Sequence, residues 1–203
     1  MLAVTVASGH AQTVDEIVAK HYVTKGGPEK WKSIQTLKIT GSATGQGSFT
    51  MVSMFDGTNA WAMNPMSGSD ALQEVVGVEG AAIKDQAEFD ESILDYRAKG
   101  HTVELVGMES VGGTQAHHLK VMRKGQAVQH YYLDANTGLA LKITTEAEAG
   151  LAVVQELSDY RTVDGVQVAH LVRLTQNGAL VGELRIATIE FNVPMDDAWF
   201  KGR

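Results

Sequence analysis

Two periodicities divide the chain. Val14, Ile17, Val18, His21 and Tyr22 recur at i, i+3, i+4, i+7 and i+8, which marks one face of a helix. Thr13 followed by Glu16 reads as a capping box, in which each side chain satisfies the other residue's backbone donor. Gly26-Gly27 supplies a left-handed stop. Pro28 then opens a second short helix through "PEKWKSI", because its missing N–H costs nothing in a first turn. From Leu37 onward the period drops to two. "TLKITGSA", "HTVELVG", "AHHLKVM", "VQHYYLD", "LALKITT", "LAVVQELSDY", "VQVAHLVRLT" and "LVGELRIATIEF" follow as strand candidates. Asp56-Gly57, Gly112-Gly113, Lys124-Gly125, "DANTG", Asp164-Gly165 and Asn177-Gly178 stand at the turns. Asp-Gly and Asn-Gly between alternating runs are strong hairpin signals. The body is therefore an antiparallel meander, and "AVVQ", which breaks the alternation, marks a place for a bulge.

One stretch loses period two. Between Pro65 and Gly100, the residues Ala82, Ile83, Phe89, Ile93, Leu94 and Tyr96 recur at roughly helical intervals, predicting one or two helices that end at Gly100. The fold class expected is α+β: an N-terminal helix, a long curved antiparallel sheet, and a helical segment inserted mid-sheet. Residues 12–203 form a single domain, with no linker, repeat or low-complexity tract.

Composition narrows the function. The chain has 203 residues, 44% hydrophobic and 20% charged, as in ordinary globular proteins. Its net charge of -7 argues against nucleic acid, which wants clustered Lys and Arg. With no cysteine there is no disulfide, thiolate nucleophile or cysteine metal site. Residues 1–11, "MLAVTVASGHA", run from apolar to small and resemble the end of a secretory signal cleaved after Ala11. They lack the positive region such a signal carries and also fit a short strand. No apolar run is long enough to cross a bilayer.

The chemistry-bearing residues do not assemble in the sequence. Of the seven histidines, none sits in H-E-x-x-H. His117 and His118 adjoin in a strand and point to opposite faces. His118 meets His130 or His170 only if strand register allows, so the histidines read as isolated exposed or hydrogen-bonded residues. No serine sits in a G-x-S-x-G elbow, and "GSATGQG" lacks the lysine and following helix of a phosphate loop. Asp90, Glu91 and Asp95 read as a solvated helix face. No cofactor or metal is implied. The surplus is apolar: "FTMVSMFDGTNAWAMNPM", residues 49–66, packs methionines and aromatics around one Asp-Gly turn. A two- or four-residue loop there puts Trp61 and Met63 on the face of Val52 and Met54, and a three-residue loop swaps the face. Methionine repacks around varied shapes, so these residues fit either a core or a cavity wall.

Several segments in order resemble a known family. "TVDEIVAKHYVTKGGPEKWKSIQTLKITG", "FDGTNAWAMNP", "FDESILDYRAKGHTVELVGMESVGGTQAHHLKV", "YYLDANTGLALKI", "DYRTVDGVQVAH" and "FNVPMDDAWF" resemble the bacterial outer-membrane lipoprotein-sorting proteins, related to the periplasmic carrier LolA. The resemblance implies an open half-barrel, with the N-terminal helix and the helical insertion as a lid over an apolar cavity. It implies a periplasmic, noncatalytic carrier whose partners are lipoprotein acyl chains or free lipid, together with inner- and outer-membrane partner proteins. Val52, Met54, Trp61, Met63, Phe89, Ile93 and Leu94 are the candidate cavity lining. Two departures stand out. The chain is short by roughly a strand pair after Gly41, so the barrel has a gap or a smaller cavity there. Ala169 stands where the family has proline, which predicts a more regular strand. A second reading is a noncatalytic envelope scaffold that pairs a protein partner along a sheet edge, with the region after Gly41 as that edge. A third is a hydrolase using His118, His130 or His170.

Overall fold

The computed structural model describes residues 12–44, 47–55, 60–63, 71–74, 91–123, 127–146 and 152–194. Helices α1 (Val14–Thr24) and α2 (Pro28–Lys32) stand where the periodicity puts them. The Thr13 hydroxyl oxygen accepts the Glu16 N–H at 3.3 Å, and the Glu16 carboxylate accepts the Thr13 N–H at 2.8 Å. The capping box is thus complete, and Ile17, Val18, His21 and Tyr22 form the buried face.

The strands are β1 (Thr36–Ala43), β2 (Gly47–Phe55), β3 (Ala60–Met63), β4 (Gln73–Glu74), β5 (Thr102–Val111), β6 (Thr114–Met122), β7 (Gln129–Asp134), β8 (Ala140–Glu146), β9 (Ala152–Val163), β10 (Val166–Gln176) and β11 (Ala179–Phe191). They form one antiparallel sheet in the order β4-β3-β2-β1-β11-β10-β9-β8-β7-β6-β5. The sheet is open, with β4 and β5 at its edges. Two hairpins turn as their sequences dictate. Asp164 and Gly165 have φ of 48° and 75°, and Asn177 and Gly178 have 50° and 79°, the paired positive angles of a type I′ turn.

The main core lies between α1, α2, residues 91–100 and one face of the sheet. Ile17, Tyr22, Ile93, Leu119, Leu133 and Val121 are its best-buried members. Each such side chain contributes about 1.5–3 kcal/mol by leaving water. The α1–α2 corner is seated on the β9–β10 turn. Lys30 Nζ donates to the Asp164 carbonyl at 2.8 Å. A Cβ at Gly26 (φ 105°) would stand 2.2 Å from the Gly165 carbonyl oxygen, so only glycine fits this corner.

Several expectations are corrected. The described end of the insertion, residues 92–100, is a succession of turns rather than a helix. Asp95 at φ 48° and Gly100 at φ 73° take the left-handed conformation that an α-helix excludes. Residues 73–74 of the same stretch pair as β4. "AVVQ" holds no bulge: Val153 to Glu156 pair in register with both β8 and β10. In the region after Gly41, β1 is flanked by β2 on one side and β11 on the other, whereas residues 47–51 of β2 pair with β1 alone among the described residues. The β1–β2 ladder runs unbroken from Thr36 to Ala43, so no gap opens between these two strands, and the register shift between Thr40 and Gly41 lies on the β11 side. Ala169 pairs with Tyr160, but the next position of the ladder is unpaired in the described register and Asp159 opposite it takes φ 52°, so the strand is irregular beside Ala169. Residues 1–11 and Phe89 lie outside the described residues.

Candidate functional site

Register decides which residues share the helix side of the sheet. Leu157, Val168 and Phe191 pack against the main core, and Trp31 of α2 meets the Phe191 ring edge-on at 6.4 Å. Leu157 pairs with Val172, and Val172 with Leu184. Phe191 pairs with Leu37, Ile189 with Ile39, and Ile39 with Met51. Paired residues share a face, so these strands continue the core face away from the helices. Val172, Leu184, Ile186, Ile39 and Met51 are half-buried and join neither buried cluster. A hollow of about 620 Å³ opens at the Ile186 end of this stripe, bordered also by Gly41, Phe49 and Arg161. Arg161 belongs to β9, with β10 and β11 between it and β1. The sheet must therefore curl for these residues to border one space.

Over the other half of that face, residues 91–100 are fastened down. Ser92 Oγ lies 2.7 Å from Gln129 Oε1 and 3.0 Å from the Tyr131 hydroxyl. Glu91 accepts from Lys25 Nζ at 2.7 Å and faces His21 Nε2 at 2.5 Å. His21 is fully buried, and its Nδ1 lies 2.7 Å from the Gly138 carbonyl. Both of its ring nitrogens thus face oxygen acceptors. Burial pushes the Glu91 carboxyl up. The Lys25 and His21 charges, with their hydrogen bonds, overcome this and hold it well below the usual carboxylate range. Lys25 also stands 4.0 Å from the Trp31 ring centroid, a cation–π contact. Further out, Arg97 grips Asp15 with two hydrogen bonds of 2.7 and 3.0 Å, and the Tyr96 hydroxyl donates to Asp15 at 2.9 Å. A groove of about 570 Å³ runs between α1 and this segment, with Val18, Tyr22, Val23, Ile93 and Leu94 among its lining.

The sequence-predicted lining divides between two places. Ile93 and Leu94 are in the main core and border the groove. Val52 is buried with Leu72, and Trp61 and Met63 pack against them. Val52 pairs with Met63 and Met54 with Trp61, as a four-residue loop requires. Val52 also pairs with Lys38, so this cluster lies on the face opposite Ile39 and Met51. The structure therefore does not bring the Trp61 cluster together with Ile93 and Leu94.

Two features were missed in the sequence. Glu91 is no solvated helix residue, as its partners show. His118 and His130 are not isolated, because His118 Nε2 and His130 Nδ1 stand 2.7 Å apart. His118 Nδ1 meets Glu109 at 2.6 Å, and His130 Nε2 meets Glu146 at 3.0 Å. The Tyr132 ring stacks on His118 at 4.4 Å, with Lys142 Nζ 3.7 Å from its centroid. The pair lies on the face opposite Leu119 and the helices. His170 is apart, with Nδ1 3.0 Å from the Val168 carbonyl. Among the described residues neither His118 nor His130 bonds a hydroxyl, so a paired nucleophile is absent from this set.

No protein-family model and no curated protein matches the chain in sequence. Solved structures do match in fold. A DUF1329 family protein from Desulfovibrio piger has a TM-score of 0.59 at 13% identity, over 94% of this chain and 98% of that one. A putative outer membrane lipoprotein-sorting protein domain from Vibrio parahaemolyticus gives 0.55 at 13%, over 93% and 97%. A LolA superfamily protein from Nitrosomonas europaea gives 0.53 at 11%, over 94% and 99%. The resemblance read in the sequence is borne out at the level of fold. No helix among the described residues is long and apolar enough to cross a membrane.

Proposed function

We propose that this chain is a periplasmic binding protein for lipoproteins or lipid-like ligands, holding acyl chains against the helix side of its sheet without catalysis. One observation carries the reading: the half-buried apolar stripe of Val172, Leu184, Ile186, Ile39 and Met51, which extends the core face beyond α1 and α2. Such a surface suits an acyl chain, because each CH₂ withdrawn from water contributes about 0.8 kcal/mol. About ten of them give about 8 kcal/mol, a micromolar dissociation constant before ordering costs. Residues 91–100 are the lid in this reading. The Glu91–Lys25–His21 contacts hold it shut, and Ile93 and Leu94 join the ligand wall when it opens. Val52, Trp61 and Met63 offer a second apolar contact on the opposite face. Carriage of a lipoprotein between membrane partner proteins is the more specific form of the proposal.

The test is uptake of a fluorescent long-chain fatty acid by delipidated protein, with mass spectrometry of lipid that copurifies. Saturable binding near one ligand per chain supports the proposal, and absence of both binding and copurified lipid sinks it. A second reading has its own observation. Edge strand β5 exposes Leu105, Val106 and Met108, which suits a scaffold that adds a partner's strand. Protection of β5 amides from hydrogen exchange by a protein partner, undiminished after delipidation, would favour it over the carrier.

A further inference from the structure

Charge is scarce on the helix side of the sheet. Lys38 pairs with Glu190, Arg173 with Glu156 and Glu183, and Arg185 with Leu171. All of these lie on the outer face, because their chain neighbours Ile39, Val172 and Leu184 occupy the core face. Among the described residues of β1, β9, β10 and β11, only Asp159 and Arg161 bring a carboxylate, ammonium or guanidinium group to the core face. Arg161 is placed there by its partner Val168, which packs against the main core. Asp159 is placed there by its bonds to Arg161.

Arg161 donates from Nε to Asp159 Oδ1 at 3.1 Å and from Nη2 to Oδ2 at 2.5 Å. This side-on contact uses two of the five N–H groups of a guanidinium. The outer fork, one N–H on each Nη, has no hydrogen-bond partner among the described residues. Such a fork takes a carboxylate or a phosphate in two parallel hydrogen bonds. The side chains of Arg161 and Asp159 are 54% and 46% exposed, so the fork is open to a ligand. Arg161 also borders the hollow with Phe49 and Ile186, at the end of the half-buried apolar stripe. A cationic fork and an apolar surface thus meet in one space.

We propose that Arg161 anchors the anionic headgroup of the acyl ligand, a carboxylate or a phosphate, through its outer fork. The inference rests on the carrier reading and narrows it: the ligands are anionic amphiphiles rather than acyl chains in general. The stripe supplies apolar area and is indifferent to the headgroup. The fork supplies charge-assisted hydrogen bonds, which are roughly twice as strong as neutral ones, and so decides which chains are kept. Asp159 offsets part of the Arg161 charge in the ligand-free protein. The two partners should therefore respond to substitution in opposite directions, whereas a pair that serves only the fold would lose the same contact from either side.

The test is calorimetry on delipidated protein with three ligands that share one oleoyl chain: oleate, oleoyl lysophosphatidate and neutral monooleoylglycerol, each below its micelle concentration. The better of the two anions should bind about ten-fold or more tighter than the glyceride, and which anion it is identifies the headgroup as carboxylate or phosphate. Arg161→Gln should bring the ratio of anion to glyceride affinity to about one, and Asp159→Asn should widen it. Asn tolerates the φ of 52° at position 159, and melting curves establish that both variants fold. Arg173→Gln, which removes a cation from the outer face, should leave the ratio unchanged. Equal wild-type affinities for anions and glyceride, or a ratio that Arg161→Gln does not lower, overturns the inference and leaves the carrier reading standing. Binding of none of the three sinks the carrier reading itself, and this inference with it.

Discussion

Glu91→Gln keeps the side chain's size and removes its charge. It leaves Lys25 and His21, whose side chains are 6% and 0% exposed, without their counter-ion. Breaking a buried pair from one side costs about 3–5 kcal/mol, because the surviving charge stays buried. The Glu91 side chain is 20% exposed, which lets water soften the loss, so the lower end, about 3 kcal/mol, is expected. For a chain of this size that lowers Tm by about 6–12 °C. Urea unfolding at pH 7 measures the free energy. Hydrogen exchange locates it: amides of residues 94–101 and of α1 should exchange faster, and those of β9–β10 should not. The carboxyl itself gives a second check. Its pKa is lower folded than unfolded, so its contribution is complete above about pH 4.3 and is lost as pH falls towards the folded value. Carbon-13 NMR should therefore find the Glu91 carboxyl still ionised at pH 3, where ordinary glutamates are protonated. A loss under about 0.5 kcal/mol in Glu91→Gln, or a Glu91 midpoint near 4.3, refutes the latch.

Arg97→Ala, by contrast, removes a bidentate but solvent-exposed pair with Asp15. Its urea midpoint should stay close to wild type, showing that the buried contacts fasten the segment. Gly26→Ala forces a side chain into positive φ and against the Gly165 carbonyl. It should cost about 3 kcal/mol or more in urea unfolding. Met51→Glu and Ile186→Glu place a charge on the half-buried stripe. Each should weaken fatty-acid uptake at least about ten-fold, equivalent to about 1.4 kcal/mol, while the thermal transition stays cooperative.

The helices and strands were legible because local signals agreed. Thr13 and Glu16 cap α1 by themselves, and Asp164-Gly165 and Asn177-Gly178 dictate their own turns. The side-chain partnerships were not legible, because they depend on register and on distant segments. Glu91 looks like surface in sequence, but its partners Lys25 and His21 lie 66 and 70 residues away. A two-residue turn at Lys124-Gly125 would pair His118 with Tyr131 and turn His130 to the other face. The structure pairs His118 with Tyr132, and that one-residue slip brings the histidines together. The same rule put Trp61 and Met63 with Val52, as the sequence allowed. The sequence could not say which face of β2 looks towards the helices. That depends on β1 pairing with β11, more than 130 residues further along. The described end of the insertion, residues 92–100, departed from a helix for a different reason: Asp95 tolerates the left-handed conformation, and nothing in its neighbours announces that it takes it.

The face question also supplies the most direct test. A fatty acid carrying a nitroxide near its methyl end, added to protein labelled at Ile, Leu, Val and Met methyl groups, broadens the resonances it approaches. The carrier account predicts broadening of Ile39, Met51, Leu184 and Ile186, reversed by excess unlabelled fatty acid. Broadening confined to Val52 and Met63, or none at all, would contradict it.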